Sequence, residues 1–235
     1  MHHGVISQNA NQPRMSQSPA KKKIFLVDDH PLVREWLTLL INQQPDLIVC
    51  GETESAPSAL AAVAAAKPDL IIVDINLKNS SGIELIKDLK VQYPATFVLV
   101  LSMHDESLYA ERVFRAGARG YVNKRETAQK VVAAIHRVLE GKLYVSEKTA
   151  EVLASQTIRG HTVNRSVTEL LSDRELEVFD KLGQGTGTRQ IAEEFHVSVK
   201  TIQEYCSRIK DKLNLNSGTE LLREAVRWHD AKNSN

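Results

Sequence analysis

A doubly wound α/β unit with a five-stranded parallel sheet, followed by a smaller all-α unit, is the architecture the sequence predicts. Three observations lead there. Short β-rich runs alternate with helical stretches five times between residues 22 and 143, the alternation stops after Tyr144, and no strand-like run returns between Leu171 and Trp228. Such alternation builds a parallel sheet with helices on both faces.

The strands are expected at residues 24–28, 47–51, 69–74, 97–102 and 119–122. The first contains IFLV, too short and too β-rich for a helix, and reads as a strand buried on both faces. Between the strands lie the helical runs PLVREWLTLLINQ, SAPSALAAVAAAK, GIELIKDLKVQ and SLYAERVFRAG. TAQKVVAAIHRVLEG follows the last strand, with Gly141 as its stop signal. This first domain spans 22–143. Residues 1–21, rich in Gln, Asn, Ser and Pro, read as a disordered tail, and the polar stretch 144–168 as a linker.

The second domain, 169–232, opens on SDRE at 172–175, a capping box in which Ser172 and Glu175 satisfy each other's backbone amides. RQIAEEF then reads as a short amphipathic helix, HVS as a tight turn, and Ser198 as the cap of the next helix. On that helix Ile202, Cys206, Ile209 and Leu213 recur at helical spacing and should pack inward. Lys200, Thr201, Gln203, Glu204, Ser207 and Arg208 are left facing out. Leu221, Leu222, Ala225 and Trp228 lie at helical spacing further on. They are more than a small four-helix domain needs for its core, which makes this segment a candidate dimer surface.

Composition excludes more than it suggests. Formal net charge is +1, arguing for neither nucleic acid nor membrane, and Cys50 and Cys206 are the only cysteines, too far apart in sequence for a metal-ligand spacing or a disulfide framework. No apolar run approaches the roughly 20 residues that span a bilayer, and the N-terminus lacks the apolar core of a secretory signal. A cytoplasmic protein without membrane contact is expected.

In open α/β sheets, ligands gather outside the carboxyl ends of the strands. Those ends carry Asp28 and Asp29, Asp74, Ser102 and, just past the fifth strand, Lys124. Three clustered carboxylates repel one another and call for a cation, and hard oxygen donors favour Mg²⁺. A carboxylate beside Mg²⁺ can act as a nucleophile toward a phosphoryl group. Ser102 and Lys124 stand ready for the phosphoryl oxygens.

The runs VDDHPLVRE, PDLIIVDINL, VLVLSMHDE and GARGYVNKRE, with Gly82 eight residues after Asp74, together resemble the receiver domain of two-component response regulators, a flavodoxin-like fold. The resemblance covers about 22–143. It implies that Asp74 is the phosphoacceptor, Asp29 a direct Mg²⁺ ligand, Asp28 a ligand mainly through water, and the backbone carbonyl of Asn76 a further ligand. It also implies that Ser102 is the switch hydroxyl, Tyr121 a switch aromatic that turns inward from solvent on phosphorylation, and Lys124 the phosphate-pairing amine. Lys78 departs from the Pro that many receivers carry four residues after the acceptor.

GQGTGT at 183–188 follows a helix rather than a strand and has no Lys-Ser/Thr pair after it, so it reads as a turn and not as a phosphate loop. The whole of 170–228 resembles the LuxR-type helix-turn-helix of NarL/FixJ regulators, which implies a homodimer on an inverted-repeat, double-stranded DNA operator. Residues 166–235 hold ten Lys and Arg against twelve Asp and Glu, so only the distribution of charge favours DNA. Lys200, Arg208, Lys210, Lys212 and Arg189 are the basic residues near the expected recognition helix, and Gln203 suits adenine reading. The expected function is that of a regulator, not an enzyme, phosphorylated on Asp74 by a sensor histidine kinase and controlling transcription. Two rivals stay open. One is an adapter with a degenerate DNA domain. The other is a flavin or aspartyl-phosphate enzyme on the same sheet, although no Ser/Thr/Gly-rich loop follows the first strand and no Asp-x-Asp-Gly run is present.

Overall fold

The computed structural model describes residues 20–77, 80–104, 106–147, 149–151 and 167–233. The tail expected at 1–21 falls almost wholly outside these residues, as does most of the linker expected at 144–168, and Lys78 lies outside them too.

The first half builds β1 (Lys22–Val27), α1 (Pro31–Asn42), β2 (Leu47–Thr53), α2 (Ala56–Ala66), β3 (Leu70–Val73), β4 (Asn76–Leu77), β5 (Ser80–Ser81), α3 (Gly82–Gln92), β6 (Phe97–Ser102), α4 (Glu106–Ala116), β7 (Gly120–Asn123) and α5 (Ala128–Leu139). Five strands form one parallel sheet in the order β2-β1-β3-β6-β7. These are the five expected strands, with ends shifted by one or two residues. The β4–β5 hairpin was not foreseen, because two residues per strand leave no periodicity to read.

Successive residues of a strand point to opposite faces, and the sheet sorts its apolar side chains accordingly. Phe25, Val27, Ile71, Val73, Val98 and Val100 pack toward α2, α3 and α4, while Ile24, Leu26, Leu70, Ile72, Leu99 and Leu101 pack toward α1 and α5. At the carboxyl edge Val27 pairs with Val73, Val73 with Val100, and Val100 with Tyr121. That register lines up the residues that follow each strand. Gly141 ends the segment after α5 at φ +78°, the left-handed value its place as a helix stop requires.

The second half is all helical: α6 (Val167–Leu170), α7 (Asp173–Gly183), α8 (Thr188–Glu194), α9 (Val199–Leu213) and α10 (Gly218–Asn233). The capping box forms as read, with the Glu175 amide donating to Ser172 Oγ and the Ser172 amide donating to Glu175 Oε2 at 2.7 Å. Ser198 caps α9 by accepting from the Thr201 amide at 3.1 Å. Ile202 and Ile209 are fully buried, with Cys206 and Leu213 packed beside them. Of the four apolar residues on α10, Leu221 and Ala225 enter the core, Trp228 stacks near Phe179 at 5.6 Å, and Leu222 is 46% exposed.

Helix α7 is buried from Glu175 through Asp180. A helix buried all round sits between two partners. Leu176, Phe179 and Leu182 face their own domain, whereas Asp173, Glu177 and Asp180 are buried acids, the first two turned toward the receiver half.

Candidate functional site

Asp28 leaves β1 and Asp74 leaves β3 at neighbouring positions, and both are 3% exposed. Their backbones are pinned: the Asp28 amide donates to Thr53 O, the Asp74 amide to Val27 O, and Arg34 Nη1 to Asp28 O at 2.6 Å. Lys124, just past β7, brings its amine 2.6 Å from Asp28 Oδ2 and 2.6 Å from Asp74 Oδ2. Its own amide donates to Ser102 O, so the β6–β7 ladder fixes where the amine starts. Gly82 allows this crowding, since a Cβ there would lie 2.0 Å from the Asp74 carbonyl oxygen.

Asp28, Asp29, His30 and Asp74 each offer a donor atom within 4.8 Å of the others. His30, 2.7 Å from Asp29 and 3.2 Å from Asp28, was not singled out from sequence. Burial is the largest influence on Asp74 and, helped by the charge of Asp28, outweighs Lys124 to raise its carboxyl to about 6. Burial pulls Lys124 the other way, but the charges of Asp74 and Asp28 outweigh it and raise the amine. Three carboxylates against one ammonium leave an excess of negative charge among oxygen donors. That set fits a small, hard divalent cation.

Ser102 is buried and its Oγ accepts from the His104 amide at 3.4 Å. Tyr121 departs from expectation. Its ring is already inside, 1% exposed, with the hydroxyl donating to His104 O at 2.9 Å. That carbonyl gives the phenol a partner it would otherwise have to find in solvent.

The mouth of the site faces the second domain across a cleft of about 530 Å³, lined on one side by Asp29, Asp74 and Lys124 and on the other by Arg174, Glu177 and Asp180. The Asn76 side chain, in the amide orientation that satisfies its neighbours, donates to Glu177 Oε1 at 2.6 Å and accepts from His104 Nε2 at 2.6 Å. Burial, with the charges of Asp173 and Asp74, raises Glu177 to about 7 despite Arg174. Glu177 and Arg174 were not foreseen, because no local signal joins residues a hundred positions apart.

On α9, Lys200, Gln203, Glu204, Ser207 and Arg208 are exposed, Thr201 and Lys210 half-buried, and Arg189 exposed on α8. Lys212 instead holds Glu175 at 2.6 Å. Among the described residues, no helix is long and apolar enough to cross a membrane.

An acid-lined pocket on a doubly wound sheet, joined to a helix-turn-helix with outward cations, defines a signal-responsive DNA-binding protein. Residues 24–136 match the response regulator receiver domain, and residues 169–225 match the luxR family of bacterial regulatory proteins. The transcriptional regulatory protein DegU of Brevibacillus brevis is 31% identical over 223 residues, 88% of this chain and 94% of its own length. Among solved structures, a LuxR-family two-component response regulator from Aurantimonas shares 33% identity with a TM-score of 0.55, covering 59% of this chain and 99% of that one. RcsB of Salmonella typhimurium, at 24% identity and TM-score 0.53, covers 87% of this chain and 98% of its own, a likeness of fold. The chain belongs to the response regulators that couple a receiver to a LuxR-type DNA-binding domain, and it is a phosphorylation-controlled regulator of transcription.

Proposed function

We propose that Asp74 receives a phosphoryl group from a sensor histidine kinase in the cytoplasm. The supporting observation is Lys124 held 2.6 Å from both Asp28 and Asp74 at the mouth of the sheet. An Asp74 oxygen attacks the phosphorus of a phosphohistidine, the P–N bond breaks as the P–O bond forms, and the imidazole leaves with a proton. Lys124 then pairs with a phosphoryl oxygen, and Ser102 Oγ turns inward to donate a charge-assisted hydrogen bond. Asp28, Asp29, Asp74 and the Asn76 carbonyl would hold Mg²⁺, which when bound draws charge from the transferring group. The chain does no further catalysis of its own.

In this reading the receiver is 22–143, the linker 144–168 and the DNA-binding domain 169–232. Gln203 reads a base, Glu204 faces a cytosine amine or turns away, and Thr201 and Ser207 line the groove. Lys200, Arg208, Lys210 and Arg189 meet phosphates. Two phosphorylated chains occupy an inverted repeat in double-stranded DNA. Intact-mass spectrometry after treatment with acetyl phosphate and Mg²⁺ tests the acceptor. One phosphate mass is expected on the wild type and none on Asp74→Asn, and full labelling of the Asn variant would refute the assignment.

A further inference from the structure

The turn from β1 into α1 sets an imidazole beside the acids. His30 occupies the capping position of α1, yet its side chain makes no capping hydrogen bond to the helix. Ser, Thr, Asn or Asp would serve a cap better. The His30 amide instead donates to Asp28 Oδ1 at 2.9 Å, and its Nδ1 stands 3.2 Å from that oxygen and 2.7 Å from Asp29 Oδ1. Asp29 Oδ1 is buried and has no hydrogen-bond partner among the described residues, so the close nitrogen does not satisfy it. A buried acceptor left unpaired costs free energy unless a water or an ion meets it. Lys124 takes Oδ2 of Asp28 and Oδ2 of Asp74. It leaves Oδ1 of each to another partner, and Asp28 Oδ1 is one of the two oxygens that His30 approaches.

Neighbouring ligands of one octahedral ion, each about 2.1 Å from it, stand about 3 Å apart. The 2.7 and 3.2 Å separations of Nδ1 from the two carboxylate oxygens bracket that value. We propose that His30 is a nitrogen ligand to the cation of the acidic pocket, and that it tilts the pocket from Mg²⁺ toward first-row transition ions. The inference rests on the pocket holding a divalent cation. Oxygen donors alone suit Mg²⁺, whereas an imidazole among them suits ions such as Zn²⁺, Ni²⁺ and Fe²⁺. Ligation uses the lone pair of Nδ1, so the ring proton sits on Nε2. The side chain is 63% exposed, which lets that proton meet water. A purely electrostatic role needs the opposite state, an imidazolium with both nitrogens protonated. That charge would repel every divalent ion alike and favour none.

The test uses the full chain carrying His2→Gln and His3→Gln, so that those two imidazoles do not compete for metal. In that background His30→Phe keeps a ring and removes the donor nitrogen. Isothermal titration calorimetry reads Co²⁺ and Mg²⁺ separately, and X-ray absorption of the Co²⁺-loaded protein reads the ligands. Losing a group that merely orients a metal ligand costs roughly 10–100-fold in affinity. His30→Phe is therefore expected to weaken Co²⁺ binding by about tenfold or more, and Mg²⁺ binding by less than about threefold. The scattering pattern of a coordinated imidazole is expected with His30 present and absent from the Phe variant. An equal change for both ions would mean that His30 acts through charge alone, and would overturn the proposal. So would Co²⁺ bound without an imidazole, or with one that survives His30→Phe. If neither ion bound the protein with His30 intact, the cation reading of the pocket would fail and the proposal with it.

Discussion

Lys124 neutralises one of two carboxylates it touches, and both partners are buried. Breaking a buried pair by removing one member costs about 3–5 kcal/mol, because the remaining charges have no water to turn to. Lys124→Met is therefore expected to lower the unfolding free energy by about 3 kcal/mol in urea titrations with EDTA. Mg²⁺ should restore part of that loss, since a ligand that binds only the folded state stabilises it by mass action. No recovery at millimolar Mg²⁺ would argue against a cation among Asp28, Asp29 and Asp74. At this scale the sequence was informative: Asp28, Asp74, Ser102 and Lys124 all stand at predicted strand ends, and the sheet brings Asp28, Asp74 and Lys124 into contact. The resting place of Tyr121 was not legible. It depends on His104 O, a carbonyl on another loop that no sequence spacing reveals.

Helix α7 begins on a cap whose strength depends on pH. Burial alone would raise Glu175, but its bonds with Lys212 and with Ser172 outweigh that and hold the carboxyl below its usual 4.5. A group whose folded value is depressed contributes stability above its unfolded value and loses it as pH falls through the folded one. Glu175→Gln should thus destabilise the C-terminal domain by about 1 kcal/mol at pH 7, and the gap between variant and wild type should close below pH ~4.5. A gap that persisted unchanged at pH 3 would show that the charge is not what matters. Helix α10 makes a different point. Leu222 is 46% and Val226 37% exposed, one turn apart, so Leu222→Glu should shift thermal stability by no more than about 0.5 kcal/mol. In sedimentation on a two-half-site duplex, the same change should convert two bound chains into one. Unaltered stoichiometry would move the dimer contact elsewhere. The capping box and the α9 cap were visible in sequence because both are local, within three residues. Which of the four apolar residues of α10 stays exposed was not, since helical spacing alone cannot say how wide the buried stripe is.

Across the whole molecule, the second domain binds DNA while carrying more acids than bases. Lys212 is committed to Glu175, leaving Lys200, Arg208, Lys210 and Arg189 for phosphates. A dimer using three per chain should give a log–log salt slope near −5, at about −0.9 per neutralised phosphate. Fluorescence anisotropy across salt concentrations would measure it, and a slope shallower than about −2 would mean that these cations are not at the backbone. Each domain's class was legible because its contacts repeat with the period of its own elements. The docking of α7 over the receiver was not, because Arg174 and Glu177 meet Leu77 and Asn76, partners too distant in the chain for any local pattern to reveal.

The parallel register gives the acidic site a birth date. Residues 28, 74, 102 and 124 meet only when β1 has paired with β3, β3 with β6, and β6 with β7, and parallel pairings of this separation are slow to form. During synthesis the chain stays chemically deaf until the strand that precedes Lys124 has left the ribosome and joined the edge of the sheet. A sheet slipped by one residue would turn every alternate side chain to the wrong face and scatter the acids. Competence to accept a phosphoryl group is therefore also a certificate that the receiver has folded in register.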